Sequence, residues 1–168
     1  MGKNLFALSM LLLTPLSAKG ATSLAEDWKG EADAAEFTAS IMSGFGLIGT
    51  TGGLALMPAL AKKIAHRGFL DDINDQAYFE IEVGPMFTSG SSALMYGAHL
   101  RWDFRRNEVW TFYALGGLGG FNTGSKLGDQ FGIHPRFGVG TFWSLSKHVT
   151  LRGEVSHELI LAGVSVGF

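Results

Sequence analysis

Nine charged or imidazole side chains in the second half of the chain recur at every second position within apolar segments. They are Glu80, Glu82, His99, Arg101, Asp103, His134, Arg136, Arg152 and Glu154. The four carboxylates nearly balance the three guanidinium groups, and buried ions must pair because desolvating an unpaired one is expensive. If one interior holds them all, the sequence predicts a structural network of salt bridges. A polar path for small solutes is the alternative.

Ser156, His157 and Glu158 supply the residue types of a lipid hydrolase: a nucleophile, a base and an orienting acid. Their adjacency opposes that chemistry, because successive residues of a strand point to opposite faces. We therefore expect a strand end and a turn here, and no catalytic residue. The histidine spacing matches no common metal-binding motif, so we also expect no metal site and no cofactor.

Composition removes several other classes of protein. The 168 residues suit one domain, and the absence of cysteine excludes disulfides, thiol catalysis and Cys-ligated metal sites. A net charge of -2 argues against nucleic acid as a partner. The 24 glycines and the low charged fraction of 17% depart from an ordinary soluble domain.

Apolar and polar residues alternate with period two from residue 77 to the end, which predicts six antiparallel strands. Short connections are predicted near residues 89–91, 105–107, 122–129, 144–147 and 157–158, and the last has little turn chemistry. No helical pattern separates the strands, which argues against a parallel sheet.

The direction of the apolar face separates two architectures. A soluble periplasmic barrel that binds an apolar ligand would turn this face inward, and a transmembrane barrel would turn it towards lipid. The face comprises Phe79, Leu94, Tyr96, Leu100 and Val139. The opposite face carries glycines, single charges and no lysine within the strands, which favours a narrow filled lumen and lipid outside.

Aromatic residues fall at one level when turns are counted back from a periplasmic C-terminus. They are Trp102, Phe104, Trp110, Trp143 and Phe168. Aromatic rings favour the headgroup level of a bilayer, so these residues are predicted membrane-interface aromatics.

With these features the chain resembles the small bacterial outer-membrane barrel proteins of the OmpA membrane-domain and OmpX type. The resemblance covers residues 77–168 and the N-terminal apolar segment, and includes the terminal pattern Val164-x-Val166-x-Phe168. It implies an all-β, antiparallel, up-and-down transmembrane β-barrel of eight strands, surrounded by outer-membrane lipid. It also implies that Val164, Val166 and Phe168 form an assembly signal for the barrel-assembly machinery.

The N-terminal part divides into three predicted segments. Residues 1–20 are typical of a cleaved secretory signal, with Lys3 before an apolar stretch too short to span a membrane. Residues 21–40 are acidic and predict a helical or disordered periplasmic lead-in. Residues 41–168 form the predicted barrel, with a first hairpin at 41–63. A periplasmic helix that opens at Pro58 and stops before Gly68 is the alternative for part of that hairpin.

The functional prediction is an outer-membrane barrel with a structural or surface-interaction role and a mostly plugged lumen. A narrow solute channel, a lipid-modifying enzyme and a soluble periplasmic barrel remain alternatives. The small polar residues of the predicted loops indicate no particular extracellular partner.

Overall fold

Eight antiparallel strands form a closed barrel in the computed structural model, which describes residues 35–65, 69–70, 73–123 and 131–168. The strands are β1 (Phe37–Ile48), β2 (Thr51–Ala65), β3 (Asp75–Thr88), β4 (Ser91–Arg105), β5 (Trp110–Thr123), β6 (Phe131–Ser144), β7 (Val149–Ser156) and β8 (Leu159–Gly167). Each strand pairs with the next, and β8 pairs with β1. The predicted up-and-down barrel of eight strands is therefore confirmed. The proposed signal and residues 21–34 lie outside the described residues.

The two ends of the barrel differ in their connections. We call one the distal end: it holds the turns at residues 49–50, 89–90 and 157–158 and the connection from β5 to β6. The other, the terminal end, holds the start of β1, the end of β8 and the remaining three connections. Gly49 and Gly90 adopt φ values of 59° and 93°, which glycine alone adopts readily, so they permit tight distal turns. The turn of the first hairpin lies at residues 49–50.

Strands β1 and β2 form the first hairpin, and the helical alternative is not present in this described part of the chain. Strand β2 continues through Pro58 to Ala65, so a helix opening at Pro58 is wrong. Period-two alternation decides this, because Leu56 and Leu60 face outward while Met57 and Ala61 are buried. Strand β1 begins at Phe37, so residues 37–40 belong to the barrel. The predicted boundary, which assigned residues 21–40 to the lead-in, is wrong for these four residues.

Backbone pairing at Phe37 and Phe168 completes the closure. The Phe37 amide donates to the Phe168 carbonyl at 2.9 Å, and the Phe168 amide donates to the Phe37 carbonyl at 3.0 Å. Their rings stack with centroids 5.9 Å apart. A closed barrel leaves no unpaired strand edge.

The apolar face of the strands is the outer surface. Phe79, Leu94, Leu100 and Val139 are each 45–61% exposed, and Tyr96 is partly exposed. A soluble barrel with this face inside is therefore contradicted. Among the described residues, no helix has the length and hydropathy to cross a membrane.

The interior contains two layers of different chemistry. Towards the distal end lies an apolar layer whose main members are Met42, Met57, Met86, Met95 and Leu159, each at most 1% exposed. Towards the terminal end lie the charged side chains. Methionine is unbranched and fills irregular space, which suits a narrow interior.

Candidate functional site: the interior charge network

The nine sequence-predicted interior residues occupy β3, β4, β6 and β7. Eight are buried inside the barrel, and His134 lies partly exposed near the distal end. Period-two geometry explains this placement, since each interior residue alternates with an outward apolar one. The structure brings seven of the nine into one continuous chain of acids and bases.

Arg152 lies at the centre of that chain. Its Nη1 and Nη2 donate to the two oxygens of Glu80 at 2.8 and 2.6 Å. Nη2 also donates to Glu154 at 2.7 Å, and Nε donates to the Tyr113 hydroxyl at 2.9 Å. Nη1 reaches the Ser40 hydroxyl at 3.2 Å. The three guanidinium nitrogens thus make five hydrogen bonds, so the charge of Arg152 is well compensated although the residue is only 1% exposed.

Arg101 extends the chain towards the terminal end. It donates to Glu80 at 2.5 Å and makes a bidentate pair with Asp103 at 2.8 and 3.0 Å. Its guanidinium carbon lies 4.6 Å from the centroid of the Tyr78 ring and 4.9 Å from that of Phe142. Aromatic faces stabilise a desolvated guanidinium, so these rings complete its surroundings.

Arg136 extends the chain towards the distal end. It donates through Nη1 to Glu82 and through Nη2 to Glu154 at 3.0 Å. Its Nε lies 3.5 Å from Glu158 Oε1 without forming a hydrogen bond. The order along the network is therefore Asp103, Arg101, Glu80, Arg152, Glu154, Arg136, Glu82, with acids and bases strictly alternating.

The two predicted histidines differ in their surroundings. His99 is buried, its Nε2 lies 3.8 Å from Glu82 Oε1, and neither ring nitrogen has a hydrogen-bond partner. His134 makes a 2.7 Å hydrogen bond between Nε2 and Glu158 Oε2. His99 thus borders the network without joining it, and His134 joins a separate cluster at the distal end.

The Glu80–Arg152 pair crosses the barrel. Strands β3 and β7 stand four positions apart in a closed ring of eight, so they face each other across the lumen. The Arg136–Glu82 pair likewise joins β6 to β3. Side chains from opposite walls therefore meet in the middle of the charged layer.

Sequence reasoning missed several members of this site. Tyr113 donates to Glu154 at 2.9 Å, and Ser40 donates to Ser165 at 2.9 Å. Both faces of β5 are apolar or glycine, so alternation alone did not single out Tyr113. Glu158 lies in the predicted turn at residues 157–158, but its burial and its hydrogen bond to His134 were not predicted.

The five predicted interface aromatics all lie at the terminal end. Trp110 and Trp143 stack with centroids 5.8 Å apart, and Trp102 lies 4.6 Å from Phe104. Phe69 adds an edge contact to Trp102 at 5.8 Å. Val164, Val166 and Phe168 of the proposed assembly signal all face outward.

Ser156 serves the β7–β8 turn. Its hydroxyl accepts from the Leu159 amide at 3.0 Å and donates to the Leu159 carbonyl at 3.4 Å. These hydrogen bonds stabilise a turn that lacks the usual glycine or asparagine. They also occupy the hydroxyl that a hydrolase would need as a free nucleophile.

A cavity of about 490 Å³ lies at the terminal end. Its wall includes Tyr78, Arg101 and Asp103 from the charged layer, and Lys147 and His148 from the β6–β7 connection. The cavity is thus a vestibule that reaches the charged layer from one side.

Comparison with solved structures identifies the same architecture elsewhere. Ail, the attachment invasion locus protein of Yersinia pestis, in complex with the heparin analogue sucrose octasulfate, is 10% identical, with a TM-score of 0.50 over 79% of this chain and 96% of that one. A second structure of Ail is 11% identical, with a TM-score of 0.46 over the same shares. No protein-family model and no curated protein matches the sequence. The similarity to the first structure shows the barrel fold.

Proposed function

We propose that this chain is an outer-membrane barrel protein with a structural or surface-interaction role. The observation that carries the proposal is the outer face, where large apolar side chains on all eight strands stand exposed around a closed barrel. Soluble monomers rarely expose contiguous apolar surface on such a scale. In lipid the same face is buried, and barrel closure satisfies the backbone groups that hydrocarbon cannot.

The aromatic belt supports the same orientation. The rings at the terminal end would lie at the periplasmic headgroup level, next to the connections at residues 106–109 and 145–148. Phe168, with Val164 and Val166 on the outer face of the last strand, would be available to the barrel-assembly machinery. These assignments rest on the proposed membrane location.

We further propose that the lumen is closed. The cross-lumen ion pairs fill the charged layer, and four methionines fill the apolar layer distal to it. Eight strands leave an interior just wide enough for side chains. In planar bilayers we expect no large steady conductance from the purified protein, and such a conductance would favour the narrow-channel alternative.

A surface-interaction role is favoured over catalysis. In the alternative catalytic interpretation Ser156 would be the nucleophile, but its hydroxyl is hydrogen-bonded to the Leu159 backbone. Ail supplies an example of this fold with a sulfated sugar analogue bound. In the sequence the four distal connections contain one lysine, Lys126 between β5 and β6, and no arginine, so we do not extend a polyanionic ligand to this chain.

Membrane fractionation tests the location. We expect recovery in the outer membrane and a gel mobility in detergent that changes on boiling, because a closed barrel resists detergent until heated. Tryptophan fluorescence should be quenched by lipids labelled at the headgroup more than by lipids labelled at the acyl end, because Trp102, Trp110 and Trp143 lie at the barrel end. Recovery as a soluble periplasmic protein with no mobility shift would refute the proposal.

A further inference from the structure

Three potential metal ligands converge at the distal end, outside the charge network. His134 comes from the start of β6, and His157 and Glu158 form the β7–β8 turn. One ligand atom from each lies within 4.8 Å of the other two. The sequence pattern does not indicate this cluster, because 22 residues separate His134 from His157 and a four-residue spacing on a helix is absent.

The geometry of the trio is already partly formed. His134 Nε2 lies 2.7 Å from Glu158 Oε2, and the imidazole rings of His134 and His157 meet edge to face at 5.4 Å. His157 is exposed and His134 partly exposed, so an ion can reach both from the solvent. In a tetrahedral zinc site with bonds of about 2.0–2.1 Å, ligand atoms lie about 3.3–3.5 Å apart. The 2.7 Å contact between His134 Nε2 and Glu158 Oε2 must therefore lengthen by about 0.6 Å when an ion enters, and the exposed His157 side chain supplies the third ligand.

The carboxylate is held in place from behind. Glu158 Oε1 lies 3.5 Å from Arg136 Nε, which leaves Oε2 directed at His134. Arg136 is itself held by Glu82 and Glu154. The backbone carbonyl of Glu158 accepts from the Leu47 amide at 2.8 Å, which anchors the turn to β1. Groups that orient a ligand in this way strengthen metal binding.

A second trio inside the barrel has the same residue types but a different setting. Glu80, Glu82 and His99 also bring ligand atoms within 4.8 Å. Both carboxylates there are hydrogen-bonded to arginines, and all three residues are at most 3% exposed. A cation would have to displace guanidinium groups in a closed interior, so the distal trio is the better site.

We propose that His134, His157 and Glu158 bind one divalent transition-metal ion, of which Zn²⁺ is the best match. Two imidazoles and one carboxylate suit zinc and leave a fourth position for water. The ion would replace the His134–Glu158 hydrogen bond and join the β7–β8 turn to β6. This site does not depend on the proposed membrane location.

Zinc titration of the full chain in detergent micelles, without an affinity tag, tests the site. We expect one Zn²⁺ per chain, and each of the variants His134→Gln and His157→Gln should weaken binding at least about tenfold. The matched control is His148→Gln, which removes an exposed histidine at the opposite end. Copper substituted at the site should show two imidazole nitrogens by electron paramagnetic resonance.

Three results of the zinc titration would overturn the site. Binding that survives both substitutions, or that falls equally in His148→Gln, overturns the site and leaves adventitious binding by surface histidines. Absence of stoichiometric zinc in the unmodified chain overturns it as well. Heat-dependent gel mobility confirms that each variant is folded, and His157→Gln alone suffices if His134→Gln fails to fold, because His157 is exposed.

Discussion

Replacing Arg152 by methionine tests whether the interior network holds the barrel together. Arg152 supplies two of the three hydrogen bonds that Glu80 receives from arginines, and one of those that Glu154 receives. Methionine has a similar length and leaves little void. The substitution therefore removes the charge and its hydrogen bonds without creating a large cavity.

The expected loss of stability follows from the hydrogen bonds that Glu80 and Glu154 keep in the variant. Glu80 keeps only the 2.5 Å contact with Arg101, and Glu154 keeps Arg136 and Tyr113. Breaking a buried ion pair on one side costs about 3–5 kcal/mol, because a desolvated charge loses its partner. We expect Arg152→Met to lower the free energy of unfolding by about this amount. The double variant Glu80→Gln/Arg152→Met should cost less than the two single variants added together, because both charges are gone.

Urea unfolding in lipid vesicles, followed by tryptophan fluorescence, gives the four unfolding free energies of the cycle: the unmodified chain, Glu80→Gln, Arg152→Met and the double variant. The matched control is Arg106→Met on the exposed β4–β5 connection, for which we expect a change below about 0.5 kcal/mol. If Arg152→Met matched that control, or if the Glu80 and Arg152 effects were additive, the reasoning about a coupled buried network would be refuted.

Three further substitutions test the barrel seam, the outer face and the last strand. At the barrel seam, where β1 pairs with β8, Gly44→Ala places a methyl group against the Ile160 carbonyl, whereas the methyl group of Gly153→Ala meets only Thr141 Cγ2 at 3.8 Å. We expect Gly44→Ala alone to lose the heat-dependent mobility shift. Equal behaviour of the two variants would contradict the close packing of β1 against β8. Leu100→Arg on the outer face should cost about 2–4 kcal/mol in vesicles. Glu108→Arg at the exposed β4–β5 connection should cost less than about 0.5 kcal/mol, and equal small costs would count against a lipid-facing surface. Phe168→Ser should lower the fraction of the protein that assembles in cells. The control Leu145→Ser changes another exposed residue of the terminal end and should not lower it. Normal assembly of Phe168→Ser would contradict the proposed assembly role.

Period-two alternation carried most of the fold prediction. It located the outward residues of β3 and β4 because Glu80 and His99 alternate with Phe79 and Leu100, and a register fixed by two chemically different faces cannot slip by one residue. It was weaker at β2, where Pro58 and Gly68 look like helix punctuation. Strand pairing with both β1 and β3 overrides that local signal there.

The partners within the interior could not be predicted from the sequence. Alternation assigns a residue to a face but not to a height or to an opposite strand, so the Glu80–Arg152 contact across the lumen had no sequence signal. Tyr113 was hidden in a strand apolar on both faces. The distal trio of His134, His157 and Glu158 likewise depends on β6 and the β7–β8 turn ending at the same height.

The high glycine content and the bulky interior side chains are two aspects of one steric requirement. A Cβ at Gly97 would lie 2.5 Å from His99 Nε2, and one at Gly119 would lie 3.1 Å from Arg136 Cδ. A Cβ at Gly140 would overlap the Tyr113 ring. The interior of an eight-stranded barrel is just wide enough for side chains to fill, so a position beside a large side chain must itself be small. Glycine at these positions therefore makes space inside the lumen for the side chains of Arg136, Tyr113 and His99. This packing supports the proposed closed lumen.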